Sequence, residues 1–281
     1  MPSTQINFKN IPVQASIISK IISIDVDSNN CFSELDDLIS SDQGVASLLL
    51  RVVNSPFYSR GNSIATIPYA ISLLGYSVVR SLALMAFSRS LFSHTKNANF
   101  RLHIWQHSLL SAIASQSICQ QMGQIKLKDD AFVAGLMHDT GKVLMYSHDP
   151  FVYEKVFSWQ FGQNCSSLEA ERKFFGFDHC DAGREAVQEW KLPDRFIDYM
   201  GREINGSQVE PSDDPVLGCL RAANYLCKTA GIGASPADES EDRMLALLAL
   251  GIPTEICERI LQPDYLQQLM ETDTYKLCSS L

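Results

Sequence analysis

The sequence predicts an all-α fold. Almost every segment carries apolar residues at helical spacing, and strand-like alternation is hard to find anywhere in the chain. Capping residues and prolines stand where one apolar stripe ends and the next begins. The 281 residues exceed the usual size of one domain, and the 46% hydrophobic composition can fill one large core or two smaller ones. We therefore expect two packed helical units.

The N-terminal part predicts a five-helix unit. Four isoleucines between Ile17 and Ile22 form an apolar stripe, and Ser33 with Asp36 three residues later resembles a capping box that begins a second helix. Asp42 is the expected cap of a third helix. That helix should end at Asn54-Ser55-Pro56, because proline disfavours helical geometry in the residue before it.

Two more helices complete this unit. Pro68 stands at a first-turn position, and Gly75 interrupts the apolar run from Ala70 to Phe92. The polar stretch from His94 to Asn99 lacks periodicity, so we expect one unit over residues 1–95 and a second over residues 100–281.

The second unit should open with a long helix that ends near Gly123. Its apolar residues Leu110, Ala114 and Met122 recur at helical spacing. Further helices are predicted near residues 129–146, 166–175, 181–190, 194–203, 215–229, 241–250 and 254–270.

The bulk properties exclude several classes of protein. The net charge of -9, with a pI near 5.1, creates a field that repels phosphate backbones, so no broad nucleic-acid surface is expected. A local basic pocket remains an alternative. The apolar runs are too short to cross a bilayer, and the first residues lack the features of a secretion signal. Eight cysteines include no C-x-x-C pair, which argues against a disulfide framework or structural zinc. We expect a cytoplasmic protein without membrane association.

The chemistry is expected around the segment Ala134–Lys142, which places His138 beside Asp139 in apolar surroundings. Such polar groups in a buried helix need partners. Adjacent helical residues point about 100° apart, yet both can reach one ion lying beside the helix. His107 lies on the buried stripe of its own helix, so it is the best candidate for a third ligand.

Three further residues are open to two interpretations each. Asn224 shares a face with apolar residues of its helix, where it is either a ligand or a packing amide. His179 at a helix start is a weaker ligand candidate, and the alternative is an exposed first-turn residue. Lys142 either complements a helix C-terminus or meets an anionic ligand.

These motifs resemble the HD superfamily of metal-dependent phosphohydrolases, first through Trp105–Ser108 and Ala134–Lys142. Other segments resemble the HDOD subfamily, and the resemblance covers most of the chain up to about Gly231. These segments are Ile11–Pro12, the helix start at Asp42, Leu49–Ser55, Ala70–Gly75, Glu171–Gly176, Asp178–Gly183 and Trp190–Pro193.

The resemblance implies a ligand set. In HD enzymes a His-Asp pair, an earlier His and a late Asp bind the metal, which corresponds to His138, Asp139, His107 and, at the late position, Asn224. A neutral amide should hold a cation more weakly than a carboxylate does. Fe, Mn, Mg, Zn and Ni are not distinguished. Asp139 and Lys142 are the implied catalytic residues.

The related HD-GYP phosphodiesterases add a His like His179, then a His-His pair and a Gly-Tyr-Pro motif. Here Arg202 and Glu203 stand at the pair's position, and Gly-Tyr-Pro is absent. A binuclear phosphodiesterase for cyclic dinucleotides is therefore not expected.

Similar HDOD proteins act in bacterial signalling. We therefore expect a regulatory module with a partly retained metal site, binding a signalling protein or a phosphate-containing small molecule. The alternative is a phosphohydrolase in which Lys142 neutralises developing charge beside the metal. A third interpretation is a purely structural helical scaffold.

Overall fold

The computed structural model describes residues 6, 14–54, 63–92, 97–202, 213–233, 242–272, 275–276 and 279. Every regular element in these residues is helical, which confirms the all-α prediction. The chain divides into two compact units. One is built from residues 12–94 with residues 190–193, and the other mainly from residues 95–189 and 194–280.

The first unit has five helices in the part that the structure describes, as the sequence predicts. They are α1 (Gln14–Ser23), α2 (Cys31–Ser40), α3 (Gln43–Val53), α4 (Ile67–Leu74) and α5 (Tyr76–Phe92). Asp42 caps α3 by accepting a hydrogen bond from Val45 N at 3.0 Å. Pro68 lies in the first turn of α4, and Gly75 with φ +87° separates α4 from α5. These three local predictions are confirmed.

The predicted cap of α2 is wrong. The helix begins at Cys31, and the Ser33 hydroxyl donates to the Asn30 carbonyl at 2.9 Å from within the first turn. The chain has already turned at Ser28, whose carbonyl accepts from Cys31 N at 3.2 Å. The helix therefore starts two residues before Ser33.

Two polar side chains hold helix ends in this unit. The buried Arg80 guanidinium donates to the Ile21 and Ile22 carbonyls at 3.3 and 3.1 Å, which satisfies free carbonyls at the end of α1. The Asn54 amide donates to Leu50 O and Ile64 O and accepts from Ile64 N, all at 2.7–2.8 Å. Asn54 thus has the structural role of a helix terminator, while Ser55 and Pro56 lie outside the described residues.

The second unit opens with a helix that changes pitch. Its helices are α6 (Ala98–Phe100), a π-helical segment Arg101–Gln106, α7 (His107–Gln121), α8 (Lys128–Met137), α9 (Thr140–His148), α10 (Pro150–Gln163), α11 (Ser167–Phe175), α12 (His179–Glu189), α13 (Arg195–Met200), α14 (Pro215–Thr229), α15 (Arg243–Ala249), α16 (Thr254–Ile260) and α17 (Tyr265–Glu271). Helix α7 packs against α8 and α14, which also contact each other, and α9 packs against α12.

The helix boundaries differ from the predicted ones in three places. The single helix predicted near 129–146 is two helices with a turn at His138-Asp139, and the one near 254–270 is interrupted at residues 261–264. Helix α10 was not predicted. Its signals are nevertheless present, because Asp149 caps it through Val152 N at 3.0 Å, Pro150 occupies its first turn, and its buried residues recur at helical spacing.

None of the described helices combines the length and apolarity needed to cross a bilayer. The seven cysteines among the described residues are free thiols.

Candidate metal centre

Three of the predicted site residues meet at one point in the second unit. His107 is the first residue of α7, and His138 and Asp139 form the turn between α8 and α9. The two Nε2 atoms lie 3.2 Å apart, and Asp139 Oδ2 lies 3.7 Å from His107 Nε2 and 3.6 Å from His138 Nε2. All three side chains are buried.

Two glycines allow the helices to approach closely enough to form this cluster. A Cβ on Gly135 of α8 would lie 2.5 Å from the Ala112 Cα of α7. A Cβ on Gly141 of α9 would lie 1.9 Å from the carbonyl oxygen of His179 at the start of α12. Any side chain at either position would push a helix out of place.

Backbone carbonyls fix the orientation of both imidazoles. His107 Nδ1 lies 2.9 Å from Ile232 O, and His138 Nδ1 lies 2.8 Å from Gly135 O. A carbonyl oxygen can only accept, so each Nδ1 must carry a proton and donate. In a neutral imidazole the Nε2 atom then has a free lone pair.

Burial keeps both rings neutral. It lowers the pKa of His107 well below the usual 6.5 and lowers the pKa of His138 as well, although the Asp139 carboxylate opposes both shifts. The two neutral rings together carry two N–H protons. Three contacts each need one, however: the two contacts with carbonyls and the 3.2 Å contact between the Nε2 atoms. The two Nε2 atoms therefore face each other with their lone pairs, an arrangement that a shared proton or a metal cation would stabilise.

Asp139 forms an ion pair with Lys142. Lys142 Nζ lies 2.9 Å from Asp139 Oδ2, and both side chains are almost fully buried. Burial opposes ionisation of Asp139, yet the Lys142 ammonium beside it holds its pKa well below the usual value. Burial likewise opposes the charge of Lys142, and Asp139 with Glu171 outweighs it and raises the Lys142 pKa.

His179 is buried at the start of α12 and lies outside the three-residue cluster. Its Nδ1 and its backbone N lie 2.6 and 2.8 Å from Glu171 Oε2 of α11. The other carboxylate oxygen accepts from the Tyr153 hydroxyl at 2.9 Å. Burial opposes protonation of the ring, but Glu171 and Cys180 raise its pKa well above 6.5. The alternative of an exposed first-turn residue is wrong.

Asn224 is 2% exposed on α14, the helix that packs against both α7 and α8. Its role as the late ligand stays a prediction. Arg202 pairs with Asp198 at 2.9 Å at the end of α13, while Glu203 lies outside the described residues.

Sequence reasoning missed two parts of this site. Glu171 belonged to a recognised motif without an assigned role, although a charged residue on the buried side of α11 was a visible signal. The Ile232 carbonyl lies in the segment that the sequence left uninterpreted. A backbone acceptor has no residue signature, so no sequence signal could have found it.

The HDOD domain family matches residues 11–204, so the chain belongs to the HDOD family. A curated relative, an uncharacterized protein of Treponema pallidum (strain Nichols), is 22% identical over 235 residues. The match covers 83% of this chain and 45% of that protein, so the chain spans about half the length of its relative.

Solved structures share the fold at low identity. An HDOD domain protein of unknown function from Geobacter sulfurreducens superposes with a TM-score of 0.72 at 21% identity, covering 96% of this chain and 91% of its own. A candidate phosphohydrolase from Shewanella amazonensis SB2B superposes with a TM-score of 0.65 at 18% identity, and the match covers 96% of this chain and 94% of that one. A candidate signal transduction protein from Marinobacter aquaeolei VT8 superposes with a TM-score of 0.72 at 18% identity, and the match covers 96% of this chain and 58% of that one.

Proposed function

We propose that this chain is a regulatory HDOD module in which His107, His138 and Asp139 hold a divalent cation. The observation that carries the proposal is the contact between two buried imidazoles whose Nε2 atoms lie 3.2 Å apart while each Nδ1 faces a backbone carbonyl. Asp139 Oδ2 supplies an anionic oxygen within 3.7 Å of both nitrogens. Two imidazoles and one carboxylate form a donor set that suits several divalent first-row metals.

The spacing of the donor atoms fits one ion. Two imidazole nitrogens bound at about 2.0–2.1 Å to a tetrahedral cation lie about 3.3 Å apart, close to the observed distance. The donors alone do not select among Fe, Mn, Mg, Zn and Ni. Asn224 remains a proposed additional ligand at the late position that the family implies. His179, the weaker candidate, would have to lose the proton that its pairing with Glu171 favours before it could bind a metal.

The charges around the cluster favour an anionic ligand. Asp139 and Glu171 contribute two negative charges and Lys142 and His179 two positive ones, so the buried group is neutral without a metal. A divalent cation would leave a charge of about +2 in a buried place, which a phosphate group could balance. We therefore propose a phosphate-containing small molecule as ligand and a signalling protein in the cytoplasm as the partner that reads the bound state.

The position of Lys142 favours regulation over catalysis. Its ammonium group is almost fully buried and donates to Asp139, so it presents little surface to a phosphate in this conformation. The alternative, a metal-dependent phosphohydrolase, draws on the candidate phosphohydrolase among the structural neighbours. In that case the bound metal would lower the pKa of a water molecule and polarise a phosphate. Lys142 would then turn its remaining N–H donors toward the phosphate to neutralise developing charge.

Metal affinity of the purified, chelator-treated chain tests the proposal, and the choice of variant matters. Replacing Asp139 alone leaves the buried Lys142 ammonium unpaired, which costs roughly 3–5 kcal/mol of stability and confuses the result. The double variant Asp139→Asn/Lys142→Met removes both charges together. Its control is Lys142→Met, which keeps the carboxylate but leaves it unpaired until a metal binds, so thermal unfolding of all three proteins is measured with and without metal.

We expect stoichiometric binding of a divalent metal by the wild type and by Lys142→Met, and binding at least a hundredfold weaker in the double variant. Equal affinities in all three proteins would overturn the proposed site. Hydrolysis assays of the metal-loaded wild type with a phosphodiester and a phosphomonoester separate the two functions. The regulatory proposal expects at most weak turnover, and robust metal-dependent turnover that the double variant loses would establish the phosphohydrolase instead.

A further inference from the structure

The turn after α14 reaches back to His107. Gly231 N donates to Lys228 O and Ile232 N donates to Cys227 O, both at 2.9 Å, so the turn is tied to the end of the helix. Gly231 and Gly233 have φ values of +78° and +121°, a region that other residues rarely adopt. The Ile232 carbonyl between them accepts the Nδ1 proton of His107 at 2.9 Å.

Gly233 approaches the imidazole more closely than any side chain could. A Cβ at this position would lie 2.9 Å from His107 Nδ1 and 3.1 Å from its Cε1. His107 is fully buried, so its ring cannot move aside at low cost. By contrast, a Cβ on Gly231 would meet nothing within 4 Å.

We propose that Gly233 is a positioning residue for the candidate metal centre. The absence of a side chain brings the Ile232 carbonyl against the ring, which places the proton of His107 on Nδ1 and turns the Nε2 lone pair toward His138 and Asp139. The consequence for metal binding rests on the proposed function, whereas the tautomer itself does not.

Gly233 lies in a segment beyond the family match, which ends at residue 204. The carbonyl that orients His107 comes from Ile232, more than twenty residues later. The first ligand of the cluster is therefore oriented by the part of the chain that the HDOD family does not define.

The tautomer can be measured directly in the full-length, metal-free protein by ¹⁵N NMR of the histidine rings. We expect His107 to carry its proton on Nδ1 in the wild type. In Gly233→Ala we expect a changed proton position or ring environment, together with a ten- to hundredfold loss of Zn²⁺ affinity, the range usual for residues that orient a ligand. Gly231→Ala is the matched control, because it introduces the same residue in the same turn without a contact with the ring.

Each outcome decides the inference. A wild-type His107 protonated on Nε2 overturns it even if Gly233→Ala does not fold. Equal effects of Gly231→Ala and Gly233→Ala on the ring also overturn it, because strain in the turn would then explain both. A tautomer change confined to Gly233→Ala supports the positioning role. If no protein binds Zn²⁺, the effect of Gly233 on the tautomer stands and the proposed metal function fails. If all proteins bind Zn²⁺ equally well, the metal function stands and the role of Gly233 in positioning the metal centre is overturned.

Discussion

The second unit contains two buried histidine groups that hold their protons differently. His107 and His138 donate Nδ1 protons to carbonyls, remain neutral and point two lone pairs at each other. His179 has the Glu171 carboxylate at 2.6 Å from its Nδ1, and its pKa is raised well above 6.5. A buried imidazole whose Nδ1 donates to an uncharged carbonyl therefore stays neutral and can bind a metal through Nε2. One whose Nδ1 faces a carboxylate is held as a cation.

The two histidine groups should also differ in what their substitution changes, the stability of the fold or the binding of metal. The Glu171–His179 pair, extended by the Tyr153 hydroxyl, satisfies its own charges and hydrogen bonds. The His107–His138 contact does not, because two Nε2 lone pairs face each other across 3.2 Å while both Nδ1 protons go to carbonyls. We expect substitutions in the first group to change mainly the free energy of unfolding, and substitutions in the second to change mainly metal affinity.

The largest effect is expected for Glu171→Gln. It removes the carboxylate beside a buried imidazolium and should lower the free energy of unfolding by roughly 3–5 kcal/mol. Glu169→Gln, the same substitution at an exposed position of the same helix, should change it by less than about 1 kcal/mol. Urea unfolding of both variants measures the difference. A similar small loss in both would show that Glu171 and His179 do not form the charged pair described.

Tyr153→Phe should have an intermediate effect. It removes one hydrogen bond to the Glu171 carboxylate and leaves the salt bridge with His179 in place, so we expect a loss of about 1.5–3 kcal/mol. Urea unfolding measures this loss, and the histidine ¹⁵N spectrum should still show a protonated His179. A neutral His179 in this variant would mean that the hydroxyl, rather than the carboxylate alone, keeps the ring charged.

Asn224→Asp tests the late ligand position of the candidate metal centre. If Asn224 occupies the late ligand position, a carboxylate there should tighten divalent metal binding by about tenfold, or about 1.4 kcal/mol. Calorimetric titration of the chelator-treated variant measures the change. Unchanged affinity would place the late ligand elsewhere, and Asn224 would then be a packing amide of α14.

Asn54→Ala lies outside both histidine groups and should have the smallest effect. It removes the amide contacts with Leu50 and Ile64 at the end of α3, at a cost of about 1 kcal/mol. Metal affinity should stay within about 0.5 kcal/mol of wild type, because the described hydrogen bonds of Asn54 join residues of its own unit and sites without shared partners are usually independent. A marked change in affinity would contradict the purely structural role of Asn54.

The helical class, most helix positions and the candidate site residues His107, His138 and Asp139 could all be predicted from the sequence. These predictions rest on local physics: apolar spacing, caps such as Asp42 and the cost of burying polar groups on apolar faces. They failed where a local signal was ambiguous, as at Ser33, or was overlooked, as at Asp149-Pro150 before α10.

The positions of the protons on the buried histidine rings depend on the tertiary structure. The partners that set them are distant in sequence: Ile232 for His107 and Glu171 for His179. One of these partners is a backbone carbonyl, which every residue possesses, so no pattern of residue types could identify it. The charge state of a buried imidazole depends on the few atoms within hydrogen-bond distance, and those atoms come together only when the helices pack.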